Sequence, residues 1–110
     1  MNAYVGIAWY VPETYAACRH LMADKAELPV TYPEWLAQAK VQLELAARQG
    51  SKVVKAHIDP VSFPDFCLLR GIPMDRKARE RYAAVKVREF AAMMGVPHAP
   101  PAHAPPSIAA

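Results

Sequence analysis

Lys55, His57 and Asp59 alternate with Val54, Ala56 and Ile58. That period of two puts a cation, an imidazole and a carboxylate on one side of a strand and apolar groups on the other. Tyr4 and Tyr10 bracket Gly6 and Ala8 in a second alternating run, and small residues between two rings leave a trough. Laid side by side, the two runs make Tyr4, Tyr10, Lys55 and His57 a candidate sheet-face pocket, able to stack a ring and hold an anion. Asp59 beside His57 could orient the imidazole for proton transfer. The plainer expectation is that Gly6 and Ala8 let a helix pack close, with the tyrosines half-buried. No nucleophile accompanies the set, so no residue is assigned a catalytic role.

Cys18, His20, His57 and Cys67 are of the right types for zinc but lack the paired spacing of a finger, and helical cysteines are more often small core residues. No metal and no cofactor are expected. No phosphate loop, dinucleotide fingerprint, nucleophile elbow or zincin helix is present.

The remaining candidate surface is the stretch after Asp75. Up to Leu69 the chain has six basic and seven acidic residues; from Arg70 to Glu89 it has seven and three, so the positive excess is concentrated there. Asp75–Arg79 and Arg76–Glu80 have the i,i+4 spacing of internal pairs. Lys77, Arg81 and Arg88 share a stripe with no acid on it, free to meet phosphates or carboxylates, although a merely solvated face looks the same. The apolar residues of this helix fall on two sides, Ala78, Tyr82 and Val85 on one and Ala83, Val87, Phe90 and Met94 almost opposite. Two apolar sides suggest two covering surfaces, one of them a partner.

These residues need a frame. Strands are expected over residues 3–10 and 53–59, the second stopped by Pro60. A first helix opens at Pro12-Glu13 and runs to about Met22, followed by a polar connection from Asp24 to Val30. Val30-Thr31-Tyr32-Pro33-Glu34-Trp35 and Val61-Ser62-Phe63-Pro64-Asp65-Phe66 match class for class, each reading as a capping box with a hydrophobic staple. They start a helix that runs to Gln49 and a short one ended by Gly71. Asp75 caps the last helix, Arg76 to Met94, about 28 Å long. The fold class is α+β: two short strands and four helices in the order β-α-α-β-α-α.

Residues 1–95 are expected to form one domain, with a modest core that needs no disulfide framework. Residues 96–110 repeat His-Ala-Pro-Pro and read as a flexible Pro/Ala/His-rich tail. The N-terminal run has no basic leader and is too short to span a membrane, so neither signal peptide nor anchor is expected and a cytoplasmic location follows. Two strands make a marginal sheet, which four helices can cover or which two chains can complete by pairing edges.

The run from Pro64 to Ala84, PDFCLLRGIPMDRKARERYAA, resembles a segment of short uncharacterised bacterial proteins. In them an aromatic-Cys helix, a Gly turn and an Ala-Arg-x-x-aromatic helix follow a strand, matched here by Phe66, Cys67, Gly71, Ala78, Arg79 and Tyr82. The resemblance implies no activity. The sequence leads to a non-catalytic protein–protein interaction module (adaptor, inhibitor or antitoxin-like), homodimeric, contacting its partner through Ala83, Val87, Phe90 and Met94. The alternative is a nucleic-acid-binding protein using Lys77, Arg81 and Arg88. A small-molecule enzyme at the sheet trough comes third.

Overall fold

The computed structural model describes residues 4–95. Strand β1 (Tyr4–Trp9) is followed by helix α1 (Tyr15–Leu21), a 3₁₀ turn (Lys25–Glu27), helix α2 (Tyr32–Arg48), strand β2 (Lys52–His57), helix α3 (Ser62–Arg70) and helix α4 (Arg76–Met93). The class is α+β, with the expected order. The expected tail lies outside the described residues.

β1 and β2 pair in parallel, in a register that runs from Tyr4 opposite Lys52 to Trp9 opposite His57. This register decides which side chains share a face. Tyr4, Gly6 and Ala8 lie with Val54 and Ala56, while Val5, Ile7 and Trp9 lie with Val53, Lys55 and His57. Helix α2 covers the second face, where the Trp35 and Trp9 rings meet edge-on at 5.0 Å. Helix α4 covers the first. A Cβ added at Gly6 would lie 2.6 Å from the Ala83 carbonyl oxygen and 2.8 Å from the Val87 Cγ2, so only glycine allows the helix this close.

The helix ends show how local chemistry sets the frame. The Thr31 hydroxyl accepts from the Glu34 N–H while the Glu34 carboxylate accepts from the Thr31 N–H, the capping box that opens α2. The matching box expected at Ser62 and Asp65 does not form. Asp59 supplies the cap instead, its Oδ1 accepting from the N–H groups of Val61 and Ser62 at 2.9 and 2.7 Å. At the far end of α3, Gly71 adopts φ 64°, the left-handed turn that frees the chain to enter α4. The Asp75 carboxylate accepts from the Ala78 N–H, and so caps α4 rather than pairing with Arg79.

One core unites these elements. Tyr10, Tyr15 and Trp35 stack edgewise or tilted between the sheet, α1 and α2. Phe63 and Phe66 of α3 meet the Tyr82 ring of α4 edge-on at 5.5 and 5.1 Å. The connection from α1 to α2 is tied down by the Tyr15 hydroxyl, which donates to the Pro29 carbonyl at 2.6 Å, and by the Arg19 side chain, which donates to the Leu28 carbonyl.

Candidate functional site

The four residues expected to share a sheet-face pocket do not share a face. Tyr10 is 1% exposed, and burial pushes its hydroxyl well above the usual tyrosine range. That hydroxyl has no hydrogen-bond partner among the described residues. Tyr4 lies under α4, against the Phe90 ring at 5.7 Å. Lys55 and His57 point to the other face, where the Lys55 ammonium sits 4.4 Å from the Trp9 ring centre. The trough between the tyrosines is filled by Ala83 and Val87. Asp59 is spent on its cap: burial raises its carboxyl, but the hydrogen bonds from Ser62 and Val61 outweigh that and hold it below the usual range. Proton transfer through His57 and Asp59 has no support here.

The expected contact face of α4 also needs correction. Ala83 and Val87 are 1% and 0% exposed, packed on the chain's own sheet. Opposite them, Ala78 and Tyr82 are buried, the Tyr82 ring edge-on to Phe63 and Phe66 of α3. Both apolar sides of the helix are thus covered within one chain. Phe90 is half-buried, and Met94 remains exposed just past the helix end. Lys77, Arg81 and Arg88 are exposed, and none of them forms an ion pair among the described residues. Arg79, by contrast, is buried and forms a two-pronged ion pair with Asp24. The carboxyl of Asp24 is held below its usual range by the hydrogen bond from Arg79, against the opposing effect of burial.

A groove of about 670 Å³ opens along the outer edge of β1. Its floor is four consecutive strand residues, Val5, Gly6, Ile7 and Ala8; no residue of β2 lines it. Side chains of consecutive strand residues point to opposite faces, so only the edge of a strand presents all four together. The wall on one side is α2, with Gln38, Gln42, Leu45 and Gln49; on the other it is α4, with Arg76, Glu80 and Ala83. The Ile58 N–H donates to the Trp9 carbonyl at 2.8 Å, so Trp9 turns its backbone groups toward β2. In a parallel ladder alternate residues turn to alternate sides. Gly6 and Ala8 therefore direct their N–H and C=O groups into the groove, with no strand on that side among the described residues.

A second groove of about 410 Å³ runs along the outer edge of β2, lined by Val54 to His57 and by Tyr82, Lys86, Phe90 and Met93 of α4. The two edges differ in the device that keeps edges single. Lysines on an edge strand deter pairing, and β2 carries Lys52 and Lys55. β1 reads Tyr-Val-Gly-Ile-Ala-Trp and carries no charge. That contrast is legible in the sequence, but alternation by itself speaks of strand faces and not of edges.

Nothing in the grooves gathers a metal site. Among the described residues no three His, Cys, Asp or Glu side chains converge. Cys18 and Cys67 are buried free thiols, both raised above the usual cysteine range by burial; Cys18 Sγ donates to the Ile58 carbonyl at 3.6 Å. No helix among the described residues is long and apolar enough to cross a membrane.

A family model described as "Domain of unknown function (DUF8829)" matches residues 5–95, and the chain belongs to that family. No curated protein and no solved structure matches it.

Proposed function

We propose that this member of DUF8829 is a non-catalytic protein–protein interaction module, of the adaptor, inhibitor or antitoxin kind, whose contact surface is the free edge of β1. One observation carries the reading: an uncharged strand edge, with the backbone of Gly6 and Ala8 turned outward, opens on a groove between two helices. Strand addition to such an edge supplies main-chain hydrogen bonds, and the flanking walls supply selectivity. A sheet of two strands also gains most from a third. Strand donors of two kinds fit the edge, a second copy giving a homodimer and a different protein giving a mixed complex. The buried reduced thiols suit a cytoplasmic setting.

Val5 lines the groove and is half-buried, so Val5→Lys places a charge at the edge without emptying the core. Affinity capture from host extract, run with the natural chain, Val5→Lys and Arg81→Glu, tests the reading. Species held by the natural chain and by Arg81→Glu but lost by Val5→Lys, the host's own copy included, are expected. A captured set indifferent to Val5→Lys rules the edge out.

The exposed stripe of Lys77, Arg81 and Arg88 supports a second reading, a nucleic-acid-binding protein. Phosphate contacts weaken steeply with salt. Titrating DNA and RNA binding against salt separates the two readings, because strand addition has no reason to follow that slope.

A further inference from the structure

We infer that the occupant of the β1 groove is a second copy of this chain, its β1 laid antiparallel to the first about a two-fold axis at Ile7. Two sheets of two strands then become one of four. This rests on the β1 edge being the contact surface. Gly6 and Ala8 turn their backbone groups outward there. With the axis at Ile7, Gly6 of each copy lies opposite Ala8 of the other, and each such pair exchanges both main-chain hydrogen bonds.

The helix beside the edge is self-complementary under the same axis. Trp35, near the start of α2, lies against Trp9 and Tyr10, and the end of α2 leads into Lys52, opposite Tyr4. α2 thus runs against β1, and the axis sets it antiparallel to its copy. Its groove side, Gln38, Gln42, Leu45 and Gln49, carries no charge. An amide both donates and accepts, so glutamines pair with glutamines, whereas a charged stripe would repel its own kind. Leu45 is 51% exposed and Val41 beside it 56%, aliphatic surface that a lone chain leaves in water and a second α2 covers.

The charges agree. Within the groove Asp24 is held by Arg79 and Glu80 by Arg76, so the α4 wall brings no excess of either sign. Glu27, at the Tyr10 end, has no ion pair among the described residues. Nor has Arg48, exposed in the last turn of α2 at the Tyr4 end. The axis carries the Tyr4 end of one copy to the Tyr10 end of the other, and so brings Arg48 of each toward Glu27 of its mate. A foreign strand could ladder onto Gly6 and Ala8, but it need neither cover Val41 nor meet Glu27.

The test is the oligomeric state of the full chain, by sedimentation and light scattering over a range of concentrations. A dimer is expected. Val5→Lys and Leu45→Glu should each dissolve it, while Leu68→Glu, at a leucine of α3 that is 79% exposed, should not. Glu27→Lys and Arg48→Glu should each weaken self-association roughly tenfold, and mixing the two should restore it, since each then meets an opposite charge. Mixing would not repair a loss of structure. Gln42→Cys, close to the axis, should be joined to its own copy by a short bis-maleimide, and Gln49→Cys, far from it, should not; the native thiols are buried. Circular dichroism and thermal melting establish that each variant is folded. A chain that stays monomeric at every concentration overturns the inference. So does a dimer that Leu68→Glu dissolves and Val5→Lys leaves whole. Capture from host extract judges the edge separately. A monomer that loses captured host proteins on Val5→Lys keeps the edge as contact surface and gives it to another protein, and a monomer whose captures ignore Val5→Lys removes both readings.

Discussion

Arg79 of α4 grips Asp24, in the connection after α1, with both guanidinium nitrogens 2.8 Å from the two carboxylate oxygens. The side chains are 10% and 14% exposed, so this is a nearly dry, bidentate pair closing one end of the β1 groove. Removing one partner strands the other charge. Asp24→Asn should cost about 3 kcal/mol in urea unfolding, and Arg79→Met/Asp24→Leu together should cost less than either half alone.

The same pair gives stability a sign in pH. The folded-state pKa of Asp24 lies below its ordinary value of 3.8, so the unfolded chain binds the proton first as pH falls. The contribution is complete above that ordinary value and is lost as pH drops through the folded one. A melting-temperature profile should fall away below about pH 4 in the natural chain and fall less steeply in Asp24→Asn.

Gly6→Ala puts a methyl 2.6 Å from the backbone oxygen of Ala83, an atom that cannot swing aside. A loss of about 2 kcal/mol is expected, with α4 displaced from the sheet. A melting temperature unchanged by this substitution would show that the helix is held less closely than described.

Tyr10→Phe tests the lone buried hydroxyl. Deleting a polar atom that no described group satisfies should raise stability by about 1 kcal/mol in thermal melts. A loss of similar size would mean that the hydroxyl has a partner in solution.

Thr31 and Ser62 should separate although their sequence settings match. Thr31→Ala removes a hydroxyl that caps α2 and should cost about 1 kcal/mol. Ser62→Ala should fall within about 0.5 kcal/mol, because Asp59 does the capping there; Asp59→Ala carries the larger loss.

The sequence made the helix starts and the alternating strands readable because those signals are local. Thr31 and Glu34 find each other within one turn whatever the rest of the chain does. Ser62 misleads because Asp59, set just before Pro60, reaches the same N–H groups first. Alternation tells which side chains share a strand face but not which way two strands run, so the parallel register that separates Lys55 and His57 from Tyr4 and Tyr10 was hidden. The two apolar sides of α4 were visible as well. That α3 covers one and the sheet the other depends on pairings between residues far apart, such as Phe66 with Tyr82 and Gly6 with Val87.

The parallel register has a consequence during synthesis. Tyr4 pairs with Lys52, so β1 leaves the ribosome well before its partner exists. Until then an uncharged, β-prone segment has neither neighbour nor lysine to discourage clumping. Nascent chains stalled between Gly50 and His57 should therefore be the ones most dependent on chaperones, and the edge proposed for recognition is the one most exposed to misassembly on the way.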